Sequence, residues 1–260
     1  MTHDGVAAVR RERQDMLRFC RDLRPEEWQQ ASRAVGWRVQ DVVAHLGSGC
    51  RAMFTPAMLS LLRSPDIERT NDKLVHERRD WSPERVLAEY GRWSGRVVTL
   101  ASVIARLPVK RVRIPLAELG RFPAGQLLTG ALVFDHHTHL RHDVAPVLGR
   151  GVPDTDAQRM TVVLNWMFAV LANQLRVAPP VGLPGPVNIV LAGPGSGTWS
   201  VSPDGTLLSG PADAPAAVVS ASTLEFPEWA TRRAKWQDRE VTIEGDQESA
   251  VRFLDALNVV

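Results

Sequence analysis

The chain has 260 residues, 44% of them hydrophobic, and its 31 Lys and Arg against 29 Asp and Glu leave a net charge of +2. That length allows a sizeable core and two domains, and the apolar fraction excludes a disordered chain. Acidic residues interleave with the arginines, so no basic stripe for nucleic acid forms; no stretch approaches the roughly 20 apolar residues of a membrane span, and a charged N-terminus in place of a signal peptide points to a cytoplasmic protein.

The N-terminal two-thirds read as helical. Asp4 to Leu23 carries helical apolar spacing through Val6, Val9, Met16, Leu17 and Phe19, and Pro25 opens a short helix where a first turn tolerates proline. Trp37 to Leu46 is amphipathic, with Trp37, Val42 and His45 turned inward, and is expected to continue past a kink at Pro56 to Leu62. Ser82-Pro83-Glu84 is a helix start, and the periodic run that follows ends at Pro108. After a connection rich in Arg and Pro come an apolar helix from Gly125 and another over 154–177. Long helices with short links indicate a bundle. The tryptophans Trp28, Trp37, Trp81, Trp93 and Trp166 are expected to pack between them.

Residues 178–186 are too dense in Pro and Gly for helix or strand, and are read as a linker between a bundle over 1–177 and a second domain over 187–260. Strands are expected at 187–192, 198–202, 216–221 and 240–244, and helices over 223–236 and 247–257. The fold class is therefore α+β, a helical bundle followed by a small α+β domain.

Four of the seven histidines fall between Phe134 and Asp143, with Asp135 and Asp143 flanking them. On a helix Asp135 and His139 share a face, and His142 lies a turn further along the same stripe. A catalytic zinc takes three protein ligands and keeps one position open, so another element must contribute. His45 is the best candidate; His3 and His76 lie in polar, charged surroundings. His136 and His137 are expected to be partly exposed or to line a cleft. Asp143 is read as orienting a ligand histidine, pairing with Arg141 or capping backbone. Cys20 and Cys50 are too few for a disulfide framework and read as small packed residues. Arg38, Arg51 and Arg141 are either anchors for an anionic substrate or surface charges.

Trp37-x-Val39-x-Asp41-Val42-x-x-His45-Leu46, followed by Asp135-x-x-x-His139 and Asp143, resembles the DinB-like, mycothiol-dependent maleylpyruvate isomerase family of actinobacteria. The tail, with Trp199, the helix from Glu225 to Trp236 and Arg239 to Asp246, looks like that family's smaller, sterol-carrier-like C-terminal domain. The resemblance implies a DinB-like four-helix bundle holding a divalent metal, usually zinc, with His45 as first ligand and His139 as last. Asp135 occupies the middle position, where the isomerases carry Glu; His136 and His142 are its alternatives.

It also implies a small-molecule substrate and mycothiol as cosubstrate. The thiolate would add to an activated double bond and be eliminated after rotation, as in an isomerase, or displace a leaving group, as in a transferase. No cysteine of the protein is needed. Trp229 and Trp236, with Arg232 and Arg233, are candidates to bind a sugar-bearing thiol, and a helix packed on a sheet accounts for them equally. The alternatives are a non-catalytic or regulatory small-molecule-binding protein on the same fold, and a metal-dependent hydrolase with Asp143 as general base. Zinc is preferred, though nickel, manganese and iron suit the same set. The chain is read as a monomer or homodimer.

Overall fold

The computed structural model describes residues 2–259, apart from the side chains of Thr2 and His3. The chain divides into two compact units, Met1–Asp154 and Thr155–Val260.

The first unit is a four-helix bundle of α1 (Thr2–Arg21), α3 (Val39–Ala52), α6 (Pro83–Ile104) and a continuous helix over 124–144. Each contributes to one core: Met16 and Cys20 from α1, Val43 and Leu46 from α3, Val86 and Tyr90 from α6, and Leu140 from the last. α3 and α6 pack closely at Gly47, where an added Cβ would stand 3.2 Å from the Tyr90 backbone. The short α2 (Pro25–Trp28) brings Trp28 onto this core. The expected start of α6 is present, with the Ser82 side chain accepting from the Arg85 amide.

Helix 124–144 is not regular. α7 (Ala124–Gln126) and α8 (Leu132–Thr138) alternate with π-helical turns at Leu127–Ala131 and His139–Val144. An i→i+5 ladder rotates the chain less per residue than an α-helix, so side chains beyond His139 leave the stripe that α-helical spacing predicts.

The helix bearing His45 does not continue through Pro56. That proline has no N–H for the Ala52 carbonyl, which instead accepts from the Thr55 amide at 3.0 Å and hydroxyl at 3.3 Å, and α4 (Ala57–Arg63) is a separate helix. α5 (Ile67–His76) was not expected; Asp66 caps it by accepting from the Arg69 amide. In the Arg- and Pro-rich connection, β1 (Arg113–Leu116) and β2 (Gly120–Pro123) form an antiparallel hairpin. Prolines hide such a pair from sequence reading, and a two-stranded ribbon tolerates them because it is all edge.

Of the arginines near the histidines only Arg141 is buried, while the Arg38 and Arg51 side chains are 31% and 43% exposed. Arg141 is 5% exposed and donates to Glu12 Oε2 at 2.6 Å, to Asp15 Oδ2 at 3.2 Å, and to the carbonyls of Pro153 and Asp154. Arg38 donates to both Asp41 oxygens at 3.0 Å, to Gln29 and to the Arg79 carbonyl, closing the start of α3. Arg51 faces Glu89 at 3.5 Å.

In the second unit the sheet order is β5-β4-β3-β6-β7, for β3 (Val187–Ala192), β4 (Gly197–Val201), β5 (Leu207–Ser209), β6 (Ala217–Ser222) and β7 (Thr242–Gly245). Only the β3–β6 pair is parallel. α9 (Ala157–Val177), assigned to the bundle by the sequence reading, counts with this unit. Its Phe168 ring stacks on Trp199 at 4.0 Å and on Phe226 at 5.2 Å. Residues 178–186 form a loop within the unit that leads from α9 to β3.

α9 is also long and apolar enough to cross a membrane by length and composition, against the expectation that no stretch is; most of it is buried. The helix expected over 223–236 shrinks to α10 (Phe226–Ala230), because Arg232 takes φ +57 and ends it. α11 (Gln247–Ala256) closes the unit, and the Arg232 guanidinium donates to the Leu257 and Asp255 carbonyls at its end.

Two stability measurements follow. Arg141→Ala leaves Glu12, which is fully buried, without this counter-charge, and should lower the unfolding free energy in urea by about 3–5 kcal/mol. Glu27 is held down to about 2 from 4.5 by hydrogen bonds from Arg150 and then from the Arg24 amide. A carboxyl depressed in the folded state adds stability above its unfolded value and loses it as pH falls through its folded value. Glu27→Gln should therefore lower Tm by a constant margin above about pH 4.5, and the margin should close as pH falls toward 2.

Candidate metal centre

The site lies where α3 faces helix 124–144. His45 sits in the buried middle of α3, and Asp135 and His139, one turn apart, project from α8 and its end. Asp135 Oδ1 is 3.3 Å from His45 Nε2 and 3.4 Å from His139 Nε2. One donor atom from each of the three lies within 4.8 Å of the others, the arrangement expected from the sequence. Four ligands at zinc–nitrogen and zinc–oxygen bond lengths of about 2.0–2.2 Å define a tetrahedron with edges of roughly 3.3–3.6 Å. Two imidazoles and a carboxylate at that spacing fit a divalent cation.

Accessibility differs among the three. The His45 and His139 side chains are 9% and 8% exposed, whereas that of Asp135 is 33% exposed, so the centre opens to solvent on the aspartate side. A bound cation would thus keep a reachable position for an outside ligand.

The imidazoles are oriented differently. His139 Nδ1 lies 2.7 Å from Asp143 Oδ2, a fully buried carboxylate four residues on, which leaves Nε2 facing the centre. Residues four apart share a helix face, so Asp143 lies beneath His139, while the smaller rotation per residue of the π-turn carries His142 away. His45 Nδ1 is buried with no hydrogen-bond partner among the described residues, and its ring is positioned by packing, 5.0 Å from Trp37 and 5.1 Å from His139.

Electrostatics follow from this geometry. Burial works against charge on His139, but hydrogen bonds to Asp135 and Asp143 outweigh it and lift the group to about 9. Burial would likewise raise Asp135, yet the charges and hydrogen bonds of His45 and His139 hold it well below its ordinary value.

The remaining expectations divide. His142 is outside the cluster, its ring 6.3 Å from His137. His136 and His137 are buried, at 2% and 1% exposure, and do not line a cleft. His136 Nδ1 bonds the Leu132 carbonyl at 2.8 Å, its ring lies 5.6 Å from Tyr90, and burial lowers it to about 4, so it is neutral. His76 is exposed on α5, and the side chain of His3 lies outside the described residues. Burial pushes both cysteine thiols up to about 12, which leaves them protonated. Asp143, fully buried against His139, is not placed to act as a base on water. Arg232 spends its donors on the end of α11, and Arg233 donates to Thr231 Oγ1 at 2.9 Å.

The sequence reading turned Trp37 inward beside His45 as a packing residue, without its contacts to His139 and Asp72. Its ring stands 6.0 Å from that of His139 as well, and its Nε1 donates to Asp72 Oδ1 of α5 at 2.8 Å. Trp37 precedes α3, so it was placed by a pattern that runs past the start of the helix, and its contacts with His139 and Asp72 lie outside that pattern.

A bundle with a His-Asp-His cluster between two helices defines a candidate metal-binding helical module. The family model described as the mycothiol maleylpyruvate isomerase N-terminal domain matches residues 9–145, and the chain belongs to that family. A crystal structure of the mycothiol-dependent maleylpyruvate isomerase aligns over 94% of this chain and 93% of its own, at 15% identity and a TM-score of 0.58. A histidine-to-alanine mutant of that isomerase aligns over the same shares at 15% identity, with a TM-score of 0.57. A sterol carrier protein 2-like protein from Aedes aegypti covers 38% of this chain and 98% of its own, at 15% identity and a TM-score of 0.31. No match was found among curated proteins.

Substitution at the centre should separate ligands from supports. His45→Ala should abolish metal retention through gel filtration. Asp143→Asn should retain the fold by circular dichroism and weaken metal binding about 10–100-fold, because it removes the carboxylate that orients His139.

Proposed function

We propose that this chain is a metal-dependent enzyme that uses a low-molecular-weight thiol, mycothiol by analogy with its family, to isomerise or S-transfer a small electrophile. The observation that carries this reading is the convergence of His45 and His139 on Asp135 Oδ1 at 3.3 and 3.4 Å, open on the Asp135 side, in a protein whose own thiols are buried and protonated. A nucleophilic sulfur must then come from a cosubstrate. A divalent cation, zinc by the donor set, would supply Lewis acidity that keeps such a thiol deprotonated at neutral pH.

The protein's own groups have separate tasks. His45, Asp135 and His139 are the ligands, and Asp143 holds His139 with Nε2 toward the centre. Trp37 covers the two imidazoles from one side, limiting water there and leaving approach from the other. With Asp143 engaged, no carboxylate in the cluster is left as a general base, which favours a thiol-using reaction over hydrolysis.

The test is elemental analysis of untagged protein, paired with turnover of mycothiol and electron-poor alkenes. About one equivalent of a transition metal, lost in the His45→Ala, His139→Ala double variant together with turnover, is the expected result. Turnover that survives complete metal removal would overturn the reading. A metal-loaded protein that turns over no thiol and electrophile pair would leave the non-catalytic binding protein in its place.

A further inference from the structure

Two glycines, Gly47 and Gly49, stand inside α3, where glycine is less favourable than alanine. Packing accounts for the first: a Cβ at Gly47 would stand 3.2 Å from the Tyr90 backbone, so the close approach of α6 requires it. Packing does not account for the second. A Cβ at Gly49 would meet no atom within 4 Å, and its backbone is helical, outside the positive-φ region, so neither space nor conformation calls for glycine there.

The place of Gly49 in the bundle gives the missing side chain a purpose. It stands four residues after His45, on the same face of α3. Every residue of α3 is buried except Gly49 and Arg51, and Arg51 turns to Glu89 of α6. The face that carries His45 is therefore open to solvent at Gly49. α3 and helix 124–144 run antiparallel: Val39 and Val42 cluster with Val144, while His45, further along α3, meets Asp135, earlier in the other helix. Trp37 precedes α3 and packs on His45 from that end, whereas Gly49 follows on the other, toward the side where the Asp135 side chain is 33% exposed. Burial, and after it the charge of Asp135, raises the thiol of Cys50, the next residue in the chain, so this carboxylate is close to the Gly49 turn. Side chains on a helix lean back toward its N-terminus, and any residue larger than glycine here would lie over His45.

We propose that Gly49 is the specificity-determining residue of the metal centre: the space over its Cα admits the body of the ligand, and the absent side chain sets how large a group can stand beside His45 and Asp135. The proposal rests on the metal-centre reading above and adds the residue that controls access to that centre. It explains a glycine that weakens α3 without serving its packing.

The experiment uses the full-length protein with three substitutions. Gly49→Ala should raise Tm by about 2–4 °C, because the added methyl group meets nothing and the helix is strengthened. Gly49→Cys introduces a thiol that reacts alone, since burial pushes Cys20 and Cys50 up to about 12, and iodoacetamide should alkylate it in the folded, metal-free protein. Gly49→Leu should take up cobalt(II) to the wild-type level with an unchanged visible spectrum. Its cobalt centre should then bind benzyl mercaptan at least about tenfold more weakly than wild type, with a smaller loss for 2-mercaptoethanol. A lowered Tm in Gly49→Ala, resistance of Gly49→Cys to iodoacetamide, undiminished binding of benzyl mercaptan by Gly49→Leu, or equal weakening of both thiols would overturn the proposal. Wild-type protein that takes up no cobalt would remove the metal-centre reading alone. Alkylation of Gly49→Cys would in that case uphold the open approach beside His45, and its failure would strike both readings.

Discussion

A carboxylate held between two imidazoles inside a helical bundle is the constraint on which the first unit depends. Burying such groups is costly unless each is matched by charge, hydrogen bond or metal. The bundle meets the demand in layers: Asp135 faces both histidines, and Asp143 supports His139 from behind. The same logic extends away from the site, where Arg141 ties Glu12 and Asp15 of α1 to the helix that carries the cluster. Charged groups thus fix the relative placement of helices that the apolar core alone would hold less specifically.

One helix provides both ligands and support because Asp135, His139 and Asp143 are spaced four apart, and the π-helical turn at His139–Val144 takes His142 out of that row. In an α-helix Asp135, His139 and His142 would form a single stripe. The altered rotation sends His142 toward His137 and leaves Asp135 and His139 at the centre, with the Asp143 carboxylate, four residues on, 2.7 Å from His139 Nδ1. Such π-turns occur frequently at functional sites. Here the irregularity has a definable consequence, the removal of His142 from the row that carries Asp135 and His139.

Much of the candidate site was legible in the sequence because its signals are local. Histidines cluster rarely by chance, Asp135 and His139 have helical spacing, and His45 sits at an inward position of an amphipathic pattern. The signals that failed were long-range or competed with a stronger local feature. Trp37 meets His139 across about a hundred residues of chain, and its Asp72 anchor lies on a helix whose polar composition concealed it. The Pro- and Gly-rich stretch over 178–186 marked a loop clearly but said nothing about which side α9 would join; Phe168 stacking on Trp199 and Phe226 decided that.

By itself, then, the sequence determined a helical bundle followed by an α+β unit, and pointed to His45, Asp135 and His139 as candidate ligands, with His136 and His142 as alternatives in the middle position. These are set by periodicity, residue type and spacing within single elements. Only the tertiary structure decided the 3.3 and 3.4 Å convergence of the donors, the choice of Asp143 as the support of His139, the burial of Arg141, and the juxtaposition of Trp37 with α5. Each of these depends on how separate helices are rotated and packed against one another, and a linear pattern does not encode rotation about a helix axis once a π-turn or a loop residue intervenes.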